Sequence, residues 1–446
     1  MNSVRTRMAP SPTGYFHVGS ARTALFNFVY ARQSSGTFVL RIEDTDTKRN
    51  KPEFENDITE QMEWLELTAD EKYRQSELID THNKAIKNLI DSNRAYISKE
   101  PSKEDDTKEV SVVRLRNKGE VVTFNDLIRG EISFDTTELG DFVVARSLED
   151  PLYHLAAVVD DNEMNITHVI RGEDHISNTP RQILIQRALG YTEPTYAHLP
   201  LILAPDKSKL SKRKHTFAIV KQLREDGFDS KAIVNFLMLL GWSPGDDREI
   251  FSIEEIISEF QINKVNKSGA IFNIEKLRWL NREYILNMEA SVFSDMAIRK
   301  LEKASIQNFS REIGIRLIPQ IKERISVWSD IDEMSRGGEF DYFFSPPKIE
   351  TNLITWKDEP KQETVKHLKN ILEIISEAEE NTFKSPENVK SVIWDYANQN
   401  GRGAVLWPLR YALSGKEKSI DPFSIIHILG KEEAIMRIKK SIEYVS

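Results

Sequence analysis

The chain has no cysteine. Disulfides, thiolate zinc ligands and cysteine nucleophiles are therefore excluded. No apolar run approaches the roughly 20 residues needed to cross a bilayer. Met1–Met8 is basic but has no apolar core, so no secretory leader is expected. Neither GxGxxG nor GxxxxGK followed by Ser or Thr occurs, which leaves the common dinucleotide and P-loop modes unsupported. Positive charge is in deficit: 61 Lys and Arg face 70 Asp and Glu, for a net charge of −9. That balance argues against non-specific nucleic-acid binding by the chain as a whole. A cytoplasmic setting without a membrane partner is the expectation.

What is present is an ordinary globular composition, 39% hydrophobic and 29% charged over 446 residues. This length exceeds one hydrophobic core and predicts two to four domains. Charge is uneven along it. Lys207, Lys209, Lys212, Arg213 and Lys214 crowd into eight residues.

Val4–Met8 reads as a strand ended by Pro10 and Pro12. A helix is predicted over Ser20–Ala31, with Ser20 as its N-cap, and a second strand over Phe38–Ile42. Strand, helix, strand makes one βαβ unit with parallel pairing. Helices are predicted over Glu53–Leu65 and Ile79–Ser92. Lys99–Glu109 holds eight charges in eleven residues and reads as a solvated loop. From Val110 to Arg146, short strands separated by Gly119, Gly130 and Gly140 suggest a small β-rich insertion. Ile166–Ile170 is a further strand. Thr179–Leu189 is a helix stopped by Gly190. Beyond the basic cluster the periodicity is helical: Ile233, Leu237 and Leu240, then Val365, Leu368, Leu372 and Ile375, then Ile435, Ile438 and Ile442. Trp242, Trp279 and Trp407 sit among apolar helical residues and are read as core. Arg402 and Arg410 read as solvated arginines able to touch RNA.

Chemistry concentrates in two short segments. His17-Val18-Gly19-Ser20 lies between the first strand and the first helix. There a helix N-terminus offers free N–H groups to phosphate, and His17 is placed to donate to it. Gly19 leaves room for a base or ribose. Lys209-Leu210-Ser211-Lys212-Arg213 lies far downstream in a loop. Two lysines three apart can close over the charge that develops on departing pyrophosphate. Singly, each has a plain alternative, a buried histidine and a solvated basic loop.

Together the two segments resemble the HIGH and KMSKS signatures of class I aminoacyl-tRNA synthetases. Fuller strings narrow this. RMAPSPTGYFHVGSARTALFN, FVLRIEDTD, YHLAAVVDD, THVIRGEDHISNTPRQ, KLSKRK and FNIEKLRWLN are similar to glutamyl-tRNA synthetase, in order from Arg7 to about Tyr284. GAVLWPLRYALSG and ILGKEEAI extend the likeness more weakly.

The resemblance implies an α/β Rossmann-like catalytic domain at 1–95 and 151–205, and an acceptor-binding α+β insertion at 96–150. It implies an all-α stem-contact region at 206–310 and an all-α anticodon-binding domain at 311–446. It implies a glutamate–tRNA ligase using ATP, with Mg2+ carried by the ATP. His17, Lys209 and Lys212 would be catalytic. Gly19, Asp174, Ser211 and Arg213 would join them in binding ATP. Glutamate would meet Arg7, Ala9, Ser11, Glu43, Tyr153 and Arg171. Glu43 would take the ammonium, while Arg171, Arg7 and Tyr153 would read the γ-carboxylate. On their own, without the strings, Arg7, Glu43 and Arg171 read first as structural ion pairs.

No metal site is expected. The match to IEDTD accounts for Glu43, Asp44 and Asp46, and His154 and His175 have no companion ligands at metal spacing. The partners would be L-glutamate and tRNA(Glu), with a monomer expected. A form that also charges tRNA(Gln) and a non-catalytic tRNA-binding relative are the alternatives. The insertion is short for the family and, without cysteine, carries no zinc. Ala157 stands where some members have Asn.

Overall fold

Arg5–Met8 forms β1, Val18–Gln33 α1, Thr37–Ile42 β2, Pro52–Trp64 α2 and Glu71–Arg74 β3. The three strands pair in parallel, with Arg7 opposite Val39 and Val39 opposite Glu71. The central strand β2 carries the apolar run Phe38–Leu40 because both of its faces are covered. Phe38 and Val39 are fully buried. The computed structural model describes residues 3–101, 109–208, 210 and 218–446.

After α3 (Ile79–Asp91) the chain leaves the sheet. It forms β4 (Ala95–Pro101), β5 (Glu109–Leu115), β6 (Val121–Asp126), β7 (Gly130–Asp135), β8 (Phe142–Ser147) and β9 (Asp150–Pro151). It returns through α4 (Tyr153–Glu163), β10 (His168–Gly172), α5 (Thr179–Leu189) and β11 (Thr195–Leu199). Gly190 ends α5 with φ of 74°, a conformation open to glycine at little cost. Strands β10 and β11 pair in parallel.

The two halves of the sheet meet where the Thr167 N–H donates to the Arg5 carbonyl at 3.0 Å. Beyond that point β1 and β10 share no ladder. Instead the buried Asn27 side chain donates to the Ile170 carbonyl at 2.9 Å, and the Asn27 carbonyl accepts from the Thr6 hydroxyl at 2.9 Å. The order is therefore β3-β2-β1, then β10-β11, and chain direction across the sheet switches between β1 and β10. A ligand crevice is expected at the carboxyl ends of such a pair.

Strands β4, β5, β8 and β9 form one antiparallel sheet, while the β6–β7 hairpin joins β11 through the single pair Tyr196 and Asp126. The insertion thus shares its core with the catalytic sheet: Val113, Val122, Phe124 and Val144 pack with Val39, Leu155, Ile183 and Tyr196. Lys99–Pro101, expected as loop, belongs to β4 and pairs with Glu109–Ser111. The rest of the charged tract lies outside the described residues.

Further on come β12 (Ile202–Leu203), α6 (Val220–Glu225), α7 (Ser230–Leu239), α8 (Ile253–Glu259), β13 (Ala270–Ile271) and α9 (Ile274–Asn287). Trp242 is buried as expected, but Trp279 is 41% exposed, so it is not core. The Lys276 ammonium lies 3.9 Å from its ring centroid, one helical turn away, which accounts for the aromatic at the surface.

The chain divides into two compact units, Met1–Tyr284 and Ile285–Ser446. The described secondary structure of the second is helical throughout. Its core joins Phe293, Leu301, Trp328, Phe340, Leu368, Ile375, Leu409 and Ile438. Because Phe293, Ala297 and Leu301 bury their faces there, this unit begins at Ile285, within the stretch expected at 206–310. Arg402 stacks on Trp394 at 4.6 Å and Arg410 on Trp407 at 4.8 Å, so neither is simply solvated. Among the described residues no helix is long and apolar enough to cross a membrane.

Asn27 replaces the missing ladder between β1 and β10. Asn27→Ala leaves the buried Ile170 carbonyl unpaired, at a cost of roughly 1–3 kcal/mol. Amide hydrogen exchange in β1 and β10 should accelerate by roughly 5- to 150-fold. Unchanged exchange would show that Asn27 does not hold the two halves together.

Candidate active site

The crevice between β1 and β10 opens into a cavity of about 440 Å3. Arg7, Ala9, Ser11, His17, Gly19, Glu43, Tyr153, Arg171 and Asp174 all line it. Residues from four separate stretches of sequence therefore meet at one place. Lys209, Ser211, Lys212 and Arg213 lie outside the described residues. Leu210 is described: it lines the cavity, and its N–H donates to the Ile202 carbonyl at 3.2 Å.

Helix α1 starts two residues earlier than expected, and its N-cap is His17, not Ser20. The His17 Nδ1 accepts from the N–H groups of Gly19 at 3.0 Å and Ser20 at 3.4 Å. A neutral His17 must then carry its proton on Nε2, which lies 3.1 Å from the Ser20 hydroxyl. Gly19 has a nearer duty than admitting a base. A Cβ there would sit 2.8 Å from the His17 ring, so only glycine lets the imidazole fold back over the helix end.

Beneath the cavity lies a buried charge lattice. Arg41 is fully buried on β2. Its Nη1 donates to Asp161 at 2.6 Å and its Nη2 to Glu43 at 3.0 Å, with Asp160 at 3.5 Å from Nε. Asp161 also takes both Nε and Nη2 of Arg7, at 3.1 and 3.3 Å. Asp160 accepts from His82 and Gln75, each at 2.6 Å. Burial pushes the Asp161 carboxyl up, but Arg7 and Arg41 outweigh it and hold the group below its ordinary range. Glu43 is the reverse: burial outweighs Arg41 and leaves its carboxyl raised. Another cation in the cavity beside Glu43 would stabilise its charged form.

Arg171 has the opposite need. It is 6% exposed, and its donors reach only neutral groups: His198 Nε2 at 3.2 Å, the Thr179 hydroxyl at 2.8 Å and the His175 carbonyl at 3.5 Å. Among the described residues no carboxylate pairs with it, and burial lowers its affinity for its own proton. Arg22 is similar, held down to about 10 by burial, but it turns to the Leu240 and Pro200 carbonyls. Arg171 is therefore the buried cation best suited to a carboxylate ligand. Tyr153 lines the cavity too, its phenol held up by burial and by the Glu43 charge.

The sequence reading did not identify Arg41, Asp160, Asp161, His82 or His198 as parts of the site. For Arg41 a signal was available, a lone cation inside the apolar run Phe38–Ile42. The carboxylates beside Glu43 have partners of their own: Asp44 meets Arg74 at 3.2 Å and the Ser76 N–H at 2.9 Å, and Asp46 meets Arg49 at 2.6 Å.

Comparison with known proteins identifies the family. The family model "tRNA synthetases class I (E and Q), catalytic domain" matches residues 3–105 and 97–279, and "Anticodon binding domain" matches 276–442. The glutamate–tRNA ligase of Aquifex aeolicus is 39% identical, covering 100% of both chains. That of Sulfurihydrogenibium sp. is 36% identical, covering 99% of each. A crystal structure of a glutamate tRNA ligase from Elizabethkingia meningosepticum, in complex with its amino acid, superposes with a TM-score of 0.88 at 32% identity, covering 100% of both chains.

Two half-buried histidines near Arg171 give the fold a pH response. Burial lowers both His154 and His175 to about 4. Each titrates near 6.5 when unfolded, so between those values the unfolded chain binds more protons. Their contribution to stability is complete above about pH 6.5 and is lost as pH falls toward about 4. The double variant His154→Gln, His175→Gln should lose less stability between pH 7 and pH 4.5 than the parent, measured by urea unfolding at each pH. Identical losses would contradict the assignment.

Proposed function

The chain belongs to the class I tRNA synthetase family for glutamate and glutamine, and on that premise we propose that it joins L-glutamate to tRNA(Glu) at the expense of ATP. In the first step the α-carboxylate of glutamate attacks the α-phosphate of ATP, forming glutamyl-adenylate and releasing pyrophosphate. In the second, a hydroxyl of the terminal adenosine of tRNA takes the acyl group and AMP leaves. The protein's part is to position the reactants and to place charge.

The observation that carries this reading is Arg171, a buried guanidinium with no carboxylate partner among the described residues. It receives the γ-carboxylate. Arg7 lies near but spends two donors on Asp161, so its charge is already balanced. Glu43 receives the α-ammonium, which supplies the second cation its raised carboxyl calls for. Cation at one end and anion at the other select a ligand with the charge pattern of glutamate.

His17 caps α1 with Nδ1 and turns its other nitrogen toward the phosphates, with Gly19 and Asp174 beside the nucleotide. We assign Lys209 and Lys212 to the leaving pyrophosphate, with Ser211 and Arg213 assisting. Glu43, Asp44 and Asp46 are tied to Arg41, Arg74 and Arg49, so Mg2+ would be held by the ATP phosphates, where it would offset their charge. We assign the insertion at 96–150 to the acceptor end of the tRNA, residues 206–284 to its stem and the helical unit 285–446 to the anticodon. The match to an anticodon-binding domain over 276–442 supports the last.

Glutamate-dependent ATP–pyrophosphate exchange tests the pocket. Arg171→Ala should lower kcat/KM for glutamate by about 100-fold or more, the scale for truncating one partner of a buried charge pair. Exchange at the parent rate would sink the assignment. Aminoacylation of purified tRNA(Glu) and tRNA(Gln) with labelled glutamate should yield glutamyl-tRNA(Glu). Charging of both would show a non-discriminating enzyme, and charging of neither would leave a tRNA-binding relative.

A further inference from the structure

Arg171 is aimed by groups that do not line the cavity. His198 is fully buried on β11 and places its Nε2 3.2 Å from the Arg171 Nε. Its Nδ1 lies 2.6 Å from Asp126 Oδ2, at the end of β6. The other oxygen, Asp126 Oδ1, accepts from the N–H groups of Ile128 at 2.9 Å, Arg129 at 2.8 Å and His198 at 3.3 Å.

The protons in this chain can be ordered. An arginine Nε always carries hydrogen, so His198 Nε2 must accept. The imidazole proton then sits on Nδ1 and points at Asp126. Burial favours this neutral ring, pushing His198 below its ordinary range even with Asp126 beside it. Burial alone would raise the Asp126 carboxyl, but the His198 hydrogen bond and the two N–H donors of the turn hold it low. Asp126 therefore dictates which nitrogen of His198 carries the proton, and leaves Nε2 bare toward Arg171.

We infer that Asp126 and His198 are positioning residues for Arg171, fixing a single imidazole tautomer so that the guanidinium presents its remaining donors to the γ-carboxylate of glutamate. The β6–β7 hairpin thus takes part in amino-acid binding, although the insertion that contains it contributes no residue to the cavity lining. This rests on Arg171 being the γ-carboxylate receptor.

Asp126→Asn separates this role from a structural one. The Asn Oδ1 still accepts from the turn, so the hairpin keeps its geometry. The Asn NH2 now faces His198 Nδ1, which must become the acceptor. The proton moves to Nε2 and opposes the N–H of Arg171. KM for glutamate in ATP–pyrophosphate exchange should rise by about tenfold or more, the scale of outer-shell replacements. KM for ATP and kcat at saturating glutamate should stay within about twofold of the parent. Adding His198→Gln puts an amide that can offer Arg171 its oxygen in either state of residue 126, and should restore most of the lost affinity.

Nitrogen-15 NMR of histidine-labelled protein, assigned with His198→Gln, reads the tautomer without activity. The parent should show a bare Nε2 and a protonated Nδ1, and Asp126→Asn the reverse. A protonated Nε2 in the parent overturns the proposal. So does an Asp126→Asn protein with unchanged KM for glutamate, or with both KM values and kcat impaired in proportion. If Asp126→Asn does not fold, the parent's tautomer decides. Absence of glutamate-dependent exchange in the parent would fail the functional reading instead, and the NMR result distinguishes the two.

Discussion

Arg41 is the constraint on which the site is built. A guanidinium with no exposure to water is tolerable only if its charge is met at close range. Here it is met by Glu43 just beyond the end of its own strand and by Asp160 and Asp161 from α4. Those carboxylates in turn engage Arg7 on β1, and His82 and Gln75 beyond. One cation therefore ties β2 to α4 across β1, the strand whose end opens the crevice. Losing it would leave three carboxylates crowded in a low dielectric with Arg7 as their remaining guanidinium partner.

The same lattice decides which charges are available to a ligand. Arg7 is balanced by Asp161, and Arg22 is turned to backbone carbonyls. Glu43 is left with a raised carboxyl, and Arg171 with neutral neighbours only. A site that keeps an anion and a cation incompletely matched is poised for a ligand that completes both. With Arg171 as the proposed γ-carboxylate receptor, an uncharged isostere of glutamate would be disfavoured, because a neutral side chain would leave Arg171 buried and unpaired.

Much of this was legible in the sequence, because the groups that line the cavity sit in short strings with fixed spacing. Arg7, Ser11, His17, Glu43 and Arg171 were each placed from their motifs, and the cavity brings them together. The insertion's strands were legible from alternation broken by Gly119, Gly130 and Gly140. Two kinds of feature were not. Partnerships across large separations leave no local pattern, as with Arg41 and Asp161, 120 positions apart, or Arg171 and the His198–Asp126 pair. The joining of β6 to β11 rests on one residue pair, which no periodicity records. Local misreadings have local causes. Ser20 had the chemistry of an N-cap, but the helix begins at Val18 and the His17 imidazole caps the N–H groups of Gly19 and Ser20. Trp279 looked apolar enough for the core, yet a lysine one turn earlier covers it at the surface. The start of the helical unit was set too late because Phe293 and Leu301 continue a helical periodicity that only packing assigns to one side.

The central claim is that the unmatched charges of Arg171 and Glu43 define the glutamate pocket. A crystal structure of this chain with a non-hydrolysable glutamyl-adenylate analogue tests it most directly. The account requires the γ-carboxylate within hydrogen-bond distance of the Arg171 guanidinium and the α-ammonium against Glu43, with the Arg41 lattice undisturbed. A γ-carboxylate bound elsewhere, with Arg171 still surrounded only by His198, Thr179 and His175, would contradict it.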